Sequence, residues 1–385
     1  MSLLEDKKIA YCHLEPLTAK SAGPIFAIGT LRGLHEYGLK PVLIVPRPES
    51  EKKFPFEVRY FPSTKVKLGP FRFTWGSRRF DEIESIIKCD RDIFCLITRD
   101  FKLGLFIKKK LPDLLLIYEA HDFYGDLKRK WPTEPREKGK LARERKSARL
   151  EPKIFKLCDG VIFLRETTKQ IFSEYYKLPP HIVASTGCDA IPEVESPPKS
   201  TVVAHIGRLY PDKGADVALE AIAQCQDARF RIIGEGPERE ALLEKARRLG
   251  IEKRVEFYGW VLHAKLGDAL IDVRAVVLSQ LDTFFNRYLT SPKKAFDSIS
   301  HGRPLIFPDL PCISEFLEDQ KHGLKFKVED SKELASAIQK IISDDVLWSR
   351  LAGNLPEFAK KYSWMSRAQK IAELVESITR NKKWV

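Results

Sequence analysis

The chain has 385 residues, of which 43% are hydrophobic and 31% charged, and this composition excludes a disordered, collagen-like or small disulfide-stapled protein. Its length exceeds what one hydrophobic core usually supports, so we predict two domains. Lys and Arg number 66 against 53 Asp and Glu, a formal net charge of +13. Residues 1–190 hold 36 Lys and Arg against 25 Asp and Glu, which predicts an anionic partner for the first half, with solubility alone as the alternative.

Strand-like and helix-like patterns alternate along the first half of the chain. Apolar runs predict strands at residues 8–14, 41–45, 93–98, 114–119 and 161–164. Residues 18–24 are predicted to form a small-residue loop, followed by a helix over 25–37 that ends at Gly38. Aromatic and cationic residues alternate over 54–80, which favours a β-hairpin of the first sheet over a surface that stacks nucleic acid or sugar rings.

The alternation pauses at the proline-rich segment 191–200 and then resumes. Apolar runs predict strands at 202–206, 229–233, 255–258, 275–279 and 304–308, and helical spacing is found at 215–223, 238–249, 332–342 and 366–378. This order predicts an α/β fold of parallel sheets covered by helices on both faces. We expect doubly wound domains over 1–190 and 201–362, a linker at 191–200, and a final helix within 363–385 that returns to the first domain.

Two such domains are expected to face each other across a cleft at the carboxyl ends of their strands, where ligands of doubly wound sheets bind. The segment AHIGRLYPDKGADVALEAI, residues 204–222, predicts a strand, a loop and a helix at this edge. Arg208 and Lys213 would offer two cations beside a helix N-terminus, a combination suited to a diphosphate. The alternative is an ordinary loop with two solvated cations.

The segment 287–317 carries a second candidate site. Ser291 and Pro292 are typical of a helix start, and Lys294 and Asp297 are spaced to share one helix face. Asp297 could accept hydrogen bonds from ribose hydroxyls while Lys294 neutralises a phosphate. The alternative is a surface ion pair between these two residues.

Residues 202–316 resemble the donor domain of retaining glycosyltransferases of family 4, also called glycosyltransferase group 1, which have the GT-B fold. The family's G-R-L-x-x-x-K-G segment matches residues 207–214, which implies that Arg208 and Lys213 bind the donor diphosphate during catalysis. SPKKAFDSISHGRP resembles its S-P-x-K-x-F-E-x-x-x-x-G-x-P segment and implies a phosphate contact for Lys294 and a ribose contact for Asp297. The resemblance also implies donor phosphate or sugar contacts at Gly207 and Ser291, and nucleoside contacts at Gly234, Tyr258 and Val261.

The first half resembles the same family more weakly. SAGP, residues 21–24, lies where the family has a glycine loop near the donor, so Gly23 is the implied contact. YEAHD, residues 118–122, resembles the strand ending in E-x-H-D, which implies that His121 faces the reacting sugar. TGCDA at 186–190 resembles the turn that closes the first domain. One family glutamate is replaced by Leu289, which puts the choice of sugar in doubt more than activity.

The resemblance implies transfer of a sugar from a nucleoside diphosphate to a saccharide or lipid-linked anionic acceptor, with retention at the anomeric carbon. The pathway implied is envelope polysaccharide, lipopolysaccharide or glycolipid assembly. Protein cations would stabilise the leaving diphosphate, and neither a D-x-D strand end nor a zinc-type ligand cluster is found, so no metal or other cofactor is expected. The base, the sugar, the acceptor, the linkage and the oligomeric state stay open.

Three alternatives are kept. The same fold could serve a nucleotide-sugar epimerase or phosphorylase, or a donor-binding protein without activity because of Leu289. A basic nucleic-acid-binding protein is the alternative from another class; it leaves the G-R-L-x-x-x-K-G order unexplained, so no nucleic-acid partner is expected.

Residues 128–149 hold ten Lys and Arg against three Asp and Glu. We predict that this segment faces an anionic acceptor or lipid surface, with a solvated helix as the alternative. Its candidate residues are Lys128, Arg129, Lys130, Arg143, Arg145 and Lys146. Seven scattered cysteines without a C-x-x-C pair, no signal-like start and no run of about 18 apolar residues predict reduced thiols and a cytoplasmic protein, either free or peripheral on the inner face of the membrane.

Overall fold

A computed structural model of the chain describes residues 4, 6–19, 21–48, 53–62, 76–125, 138–193 and 196–381. The chain divides into two compact units. Among the described residues, the first unit comprises those within 4–125, 138–187 and 364–381, and the second comprises 188–193 and 196–363.

The first unit is built on a parallel sheet with the strand order β3-β2-β1-β4-β5-β6-β7 in its described part. Its strands are β1 (Lys8–Cys12), β2 (Lys40–Pro46), β3 (Glu57–Phe61), β4 (Ile93–Thr98), β5 (Leu115–Ala120), β6 (Gly160–Phe163) and β7 (His181–Val183). The helices of the same unit that precede the second unit are α1 (Ala22–Glu36), α2 (Gly76–Cys89), α3 (Phe101–Lys110), α4 (Lys138–Leu157) and α5 (Glu166–Tyr175). β5 and β6 are buried along their whole length and β1 is buried except at Lys8, as expected for parallel strands covered on both faces.

The second unit repeats this architecture with the strand order β10-β9-β8-β11-β12-β13, again all parallel. Its strands are β8 (Val202–Ile206), β9 (Arg229–Ile233), β10 (Val255–Gly259), β11 (Val273–Val277), β12 (Leu305–Pro308) and β13 (Gly323–Phe326). Its helices are α6 (Ala215–Gln224), α7 (Arg239–Arg248), α8 (Leu266–Leu270), α9 (Phe284–Tyr288), α10 (Lys293–Ser300), α11 (Pro311–Ser314), α12 (Ser331–Ser343), α13 (Asp345–Gly353) and α14 (Leu355–Lys361). Two buried apolar clusters pack against this sheet and consist of its own strand and helix residues.

The last helix, α15 (Trp364–Asn381), belongs to the first unit and packs along α1. The approach is close because α1 has glycine where the two helices meet. A Cβ atom on Gly29 would lie 2.2 Å from Trp364 Cε2, and one on Gly33 would lie 2.2 Å from the Trp364 carbonyl oxygen. The sequence "AIGTLRG" therefore lets the C-terminal helix lie against the helix that follows β1.

The predicted α/β class with two doubly wound parallel sheets is confirmed, and two local predictions are wrong. Of the described residues in the predicted hairpin 54–80, β3 pairs in parallel with β2 as an edge strand, and residues 76–80 belong to α2. The helix predicted over 25–37 begins earlier, at Ala22, so Gly23 lies in its first turn and not in a loop.

All seven cysteines are free, as predicted, and six of them are buried. Within the described ranges, no helix combines the length and the apolar character that crossing a bilayer requires.

Candidate functional site

The loop after β8 presents the two predicted diphosphate-binding cations. Arg208 is exposed and its guanidinium lies 5.7 Å from the ring centre of Tyr210. Lys213 ends a short 3-10 turn, Pro211–Lys213, and its Nζ lies 2.7 Å from Asp212 and 5.6 Å from the ring centre of Phe285. The structure therefore places both cations just after the carboxyl end of β8, as the sequence predicts.

The backbone of this turn is held by the neighbouring segment. Gly214 follows the turn with φ of 63°; its amide donates to the Pro211 carbonyl oxygen, and its own carbonyl oxygen accepts from amides in the first turn of α6. Ser279 Oγ donates to the Lys213 carbonyl oxygen at 3.1 Å, and Asn286 Nδ2 donates to the Asp212 carbonyl oxygen at 2.8 Å. These bonds fix where the Lys213 side chain leaves the backbone.

Lys294 supplies a third cation whose ammonium is buried and has no hydrogen-bond partner among the described residues. Burial, together with the charge of Lys213, lowers the pKa of Lys294 to about 7. His205 is fully buried on β8, and neither of its ring nitrogens has a partner within the described part of the chain. Its pKa is held well below the ordinary value by burial and then by Lys294 and Lys213. Unpaired buried donors of this kind are costly unless a ligand or water meets them.

The start of α10 argues against the Lys294–Asp297 ion pair that the sequence analysis kept as the alternative at this site. The helix begins at Lys293, with Pro292 at the cap position. The partner of Asp297 is Lys293, four residues before it, and not Lys294. Lys294, three residues before Asp297, is instead influenced by the charge of Lys213.

Asp297 is the buried member of a charged cluster that the sequence analysis missed. Lys293 Nζ lies 2.5 Å from Asp297 Oδ1 and 2.6 Å from Asp189 Oδ2, and His263 Nε2 lies 2.9 Å from Asp297 Oδ1. Burial opposes ionisation, but Lys293 and His263 outweigh it and lower the pKa of Asp297. Both contacts use Oδ1, so Oδ2 has no partner among the described residues and can accept from a hydroxyl.

One ligand atom each from Asp189, His263 and Asp297 lie within 4.8 Å of one another, a spacing at which a metal ion could be held. The Lys293 ammonium bonds to both carboxylates of this group. Lys293 therefore already provides a positive charge to Asp189 and Asp297 at the place where a metal ion would bind.

The implied nucleoside contacts lie along one edge of the second sheet. Gly234 has φ of 148° and donates to the Gly259 carbonyl oxygen at 2.8 Å. Tyr258 is 42% exposed beneath the guanidinium of Arg231, and Val261 is half-buried. Gly207 has φ of 121°, and the amide of Gly207 bonds to the end of β9.

In the first unit, the predicted residues follow β1 and β5. His121 stands one residue after β5, and Gly23 lies beside His13, since a Cβ atom on Gly23 would be 2.7 Å from His13 Cε1. Burial lowers the pKa of His13 to about 4, with Arg99 as the second cause. Arg99, the cation that follows β4, therefore influences His13 and also contacts His121.

Both ring nitrogens of His121 are bound by the protein. Nε2 contacts Glu119 Oε1, and Arg99 Nη2 lies 2.9 Å from Nδ1. The ring edge packs against Phe26 with 5.2 Å between ring centres. Burial and then Arg99 lower the pKa of His121 to about 4, so the ring is neutral at physiological pH.

The basic segment is described only in part. Lys128, Arg129, Lys130 and the side chain of Arg143 lie outside the described residues. Arg145 and Lys146 are exposed on α4.

These two units have the fold of the GT-B glycosyltransferases. A sucrose-phosphate synthase from Thermosynechococcus elongatus superposes with a TM-score of 0.75 at 16% identity, over 98% of this chain and 100% of that one. HepE from Anabaena, solved in complex with UDP and glucose, superposes with a TM-score of 0.70 at 17% identity, over 96% of this chain and 100% of that one.

Within the second unit, residues 200–344 match the family model described as "Glycosyl transferases group 1". The lipopolysaccharide core biosynthesis glycosyltransferase LpsE of Rhizobium meliloti is 29% identical over 160 residues, which are 42% of this chain and 45% of that protein. The match thus spans about half the length of this curated relative. The recognition of glycosyltransferase group 1 is confirmed for this segment, and the narrower assignment to family 4 stays a prediction.

The sequence analysis missed Arg367 in the first unit and the pair Lys293 and His263 in the second. Only Arg367 could have been detected from a sequence pattern. Arg367 is 2% exposed on α15 and lies one helical turn before Ile371 and two before Leu374, on the apolar face of that helix. A charge on an apolar face predicts a buried partner. Lys293 and His263 gave no such signal, since neither interrupts an apolar pattern.

Proposed function

We propose that this protein is a retaining glycosyltransferase that moves a sugar from a nucleoside diphosphate sugar to a saccharide or lipid-linked anionic acceptor. The observation that carries the proposal is the arrangement of Arg208, Lys213 and the unpartnered ammonium of Lys294 after β8 and on α10, within a segment matched by the glycosyltransferase group 1 model. Envelope polysaccharide, lipopolysaccharide or glycolipid assembly is the pathway proposed, with support from the similarity to LpsE.

The proposed chemistry needs what these cations supply. Breaking the bond between sugar and phosphate builds negative charge on the leaving diphosphate and positive charge on the sugar. Fixed cations at the phosphates stabilise the transition state more than the ground state, because the charge grows as the bond breaks. We propose that Arg208, Lys213 and Lys294 fill this role without a metal ion.

Retention is proposed to arise from attack on the same face of the sugar that the diphosphate leaves, with the leaving phosphate accepting the proton of the acceptor hydroxyl. Both ring nitrogens of His121 are already bonded, which favours contact with the sugar through the His121 backbone over contact through a ring nitrogen. Asp297 Oδ2 is proposed to accept from ribose hydroxyls.

Thermal stabilisation by sugar nucleotides tests the proposal. A ligand that binds only the folded state at 100 times its Kd adds about 2.7 kcal/mol of stability. We expect one of UDP-, GDP- or ADP-glucose to raise the melting temperature more than the other two. No stabilisation by any sugar nucleotide, combined with salt-sensitive binding of duplex DNA, would favour the nucleic-acid alternative instead.

Donor binding is expected to weaken as the pH rises above 7. Lys294 is protonated in the free protein below its pKa of about 7 and neutral above it, whereas a bound diphosphate favours the protonated form. Above pH 7 binding must therefore include uptake of a proton, and Kd should rise by up to about tenfold per pH unit. Calorimetric titration with the stabilising sugar nucleotide, a diester without an ionisation near neutral pH, measures this slope.

Lys294→Met is the control for that titration, since it removes the titrating group and keeps an apolar stem in the same space. We expect weaker binding with a flat pH dependence from pH 7 to 9. An equally steep slope in Lys294→Met would assign the proton to another group.

Asp297→Asn is expected to raise the donor KM, because an amide replaces the carboxylate proposed to hold the ribose. The Lys293 ammonium keeps its bond to Asp189 in this variant, so the local fold should persist. Steady-state kinetics with varied donor measure the effect, with exposed Asp268→Asn as the matched control. A normal KM in Asp297→Asn would argue against ribose contact.

Charge reversal of Arg143, Arg145 and Lys146 to Glu is expected to weaken binding to anionic vesicles and to raise the acceptor KM, while donor binding stays unchanged. Attraction to an anionic membrane amounts to about 1 kcal/mol per basic residue near the surface. Pelleting with vesicles that contain phosphatidylserine measures it. Reversal of the exposed Arg248, Lys253 and Lys340 of the second unit is the control, and equal loss in both triple variants would remove the assignment to α4.

A further inference from the structure

Arg367 on α15 and Glu119 on β5 form a buried ion pair within the first unit. Arg367 Nη2 lies 2.9 Å from Glu119 Oε2, and the two side chains are 1% and 0% exposed. Arg367 Nε donates to Thr30 Oγ1 at 3.0 Å, and Nη1 donates to the carbonyl oxygens of Ala184 and Ser185. The guanidinium is thus fixed from α1, β5 and the segment after β7 at once.

The other oxygen of the same carboxylate holds His121. Glu119 Oε1 contacts His121 Nε2, while Arg99 Nη2 approaches Nδ1 to 2.9 Å on the opposite side of the ring. Arginine can only donate, so Nδ1 must be the acceptor and the ring proton must lie on Nε2. The protein therefore selects one neutral tautomer of His121.

Arg367 adds to the effects of burial and Arg99, which are the larger causes of the low pKa of His121. The titratable groups that face this centre are Arg99 after β4, Glu119 on β5, Arg367 on α15, and Tyr11, whose hydroxyl lies 3.2 Å from Glu119 Oε2. His13 follows β1 and also feels Arg99 and Glu119. Arg367 is the cation bonded to the carboxylate, and Arg99 bonds only to the ring.

We propose that Arg367 is a positioning residue for sugar transfer: by neutralising and orienting Glu119, it keeps His121 uncharged and fixed in the tautomer that carries its proton on Nε2. The proposal rests on the proposed function, in which His121 faces the reacting sugar. Without Arg367, the charge of Glu119 would be met by protonation of His121. An imidazolium beside a sugar that gains positive charge would oppose the transition state.

Arg367→Met tests the proposal in the full-length protein. Selective ¹⁵N labelling of histidine reports the tautomer and the titration of each ring, and His121→Asn assigns the signal. We expect the wild-type ring to stay neutral from pH 9 to pH 5, since its pKa is about 4. In Arg367→Met the midpoint should rise by at least one pH unit, and kcat should fall relative to the wild type as the pH drops through that new midpoint, with a loss that shrinks toward pH 9.

The matched controls lie on the same helix and at the same position. Lys370→Met removes an exposed cation one turn farther along α15 that donates to the Val183 carbonyl oxygen, and it should change neither readout. Arg367→Lys keeps the charge and should restore most of the low titration midpoint and of kcat.

A second variant keeps the proposal testable if Arg367→Met fails to fold, since a buried carboxylate without its partner is strongly destabilising. Glu119→Gln combined with Arg367→Met leaves neither charge buried alone. Its His121 should stay neutral, because no carboxylate remains to attract the proton. A raised titration midpoint in the double variant would overturn the proposal.

Two results separate this proposal from the proposed function. An unchanged His121 titration in Arg367→Met, with a loss of kcat that is independent of pH, would overturn the positioning role and leave sugar transfer intact. A shifted titration in a protein whose wild type releases no UDP from UDP-glucose and no nucleoside diphosphate from the GDP and ADP analogues would sustain the coupling and refute the transferase assignment.

Discussion

Arg208→Ala and Lys213→Ala are each expected to lower the turnover of donor by roughly 30- to 1,000-fold. The estimate follows from losing one charged donor at a developing oxyanion, which costs about 2–4 kcal/mol of transition-state stabilisation. The loss should appear in kcat more than in KM, because the cations interact more strongly with the charge that grows as the sugar leaves. Release of nucleoside diphosphate at saturating donor measures it.

Arg248→Ala is the matched control, since Arg248 is an exposed cation of the same unit on α7. Its turnover should equal that of the wild type. Arg208→Ala and Lys213→Ala variants that both match Arg248→Ala would show that the phosphate site has been assigned to the wrong loop.

Gly214→Ala is expected to give the largest loss of stability among single substitutions near the site. Gly214 has φ of 63°, and a Cβ atom there would lie 1.8 Å from the Ser279 carbonyl oxygen and 3.0 Å from Leu281 Cδ2. The backbone oxygen cannot yield without moving the segment that bonds to the Lys213 carbonyl. We expect a loss of more than about 3 kcal/mol, at the upper end of single-substitution effects, together with loss of donor binding.

Gly250→Ala is the control that separates the steric clash expected at Gly214 from the cost of a left-handed backbone conformation. Gly250 has nearly the same conformation, with φ of 68°, but a Cβ atom there meets nothing within 4 Å. This variant should therefore lose only the cost of a left-handed conformation, about 1–2 kcal/mol. Calorimetric melting of both variants tests the difference, and equal shifts in melting temperature would contradict the close contact at Ser279.

The alternation of apolar runs was enough to predict the parallel sheets, because strands buried on both faces need continuous apolar residues. It failed at the sheet edges. β7 is a three-residue strand, His181–Val183, with no buried residue, so it leaves no apolar run to detect. Most residues of β3 are at least partly exposed, and its sequence resembled one arm of a hairpin. In the structure β3 instead pairs in parallel with β2, the strand that precedes it in the chain.

The sequence predicted those parts of the candidate site that depend on neighbouring residues in the chain, and it missed the contacts between residues that are distant in sequence. The positions of Arg208 and Lys213 follow from one strand, one turn and one helix. Lys293 and Lys294 lie four and three residues before Asp297, and both spacings place two side chains on one helix face, so the sequence did not select the lysine that pairs with Asp297. The link from His121 through Glu119 to Arg367 joins residues 248 positions apart, and no spacing rule connects them.

A structure of the protein with the sugar nucleotide that stabilises it most tests the central claim directly. We predict that the diphosphate lies within hydrogen-bond distance of Lys213 Nζ and the Arg208 guanidinium, with Lys294 Nζ bonded to a phosphate oxygen. A nucleotide bound elsewhere on the chain, with the loop after β8 and Lys294 untouched, would contradict the account.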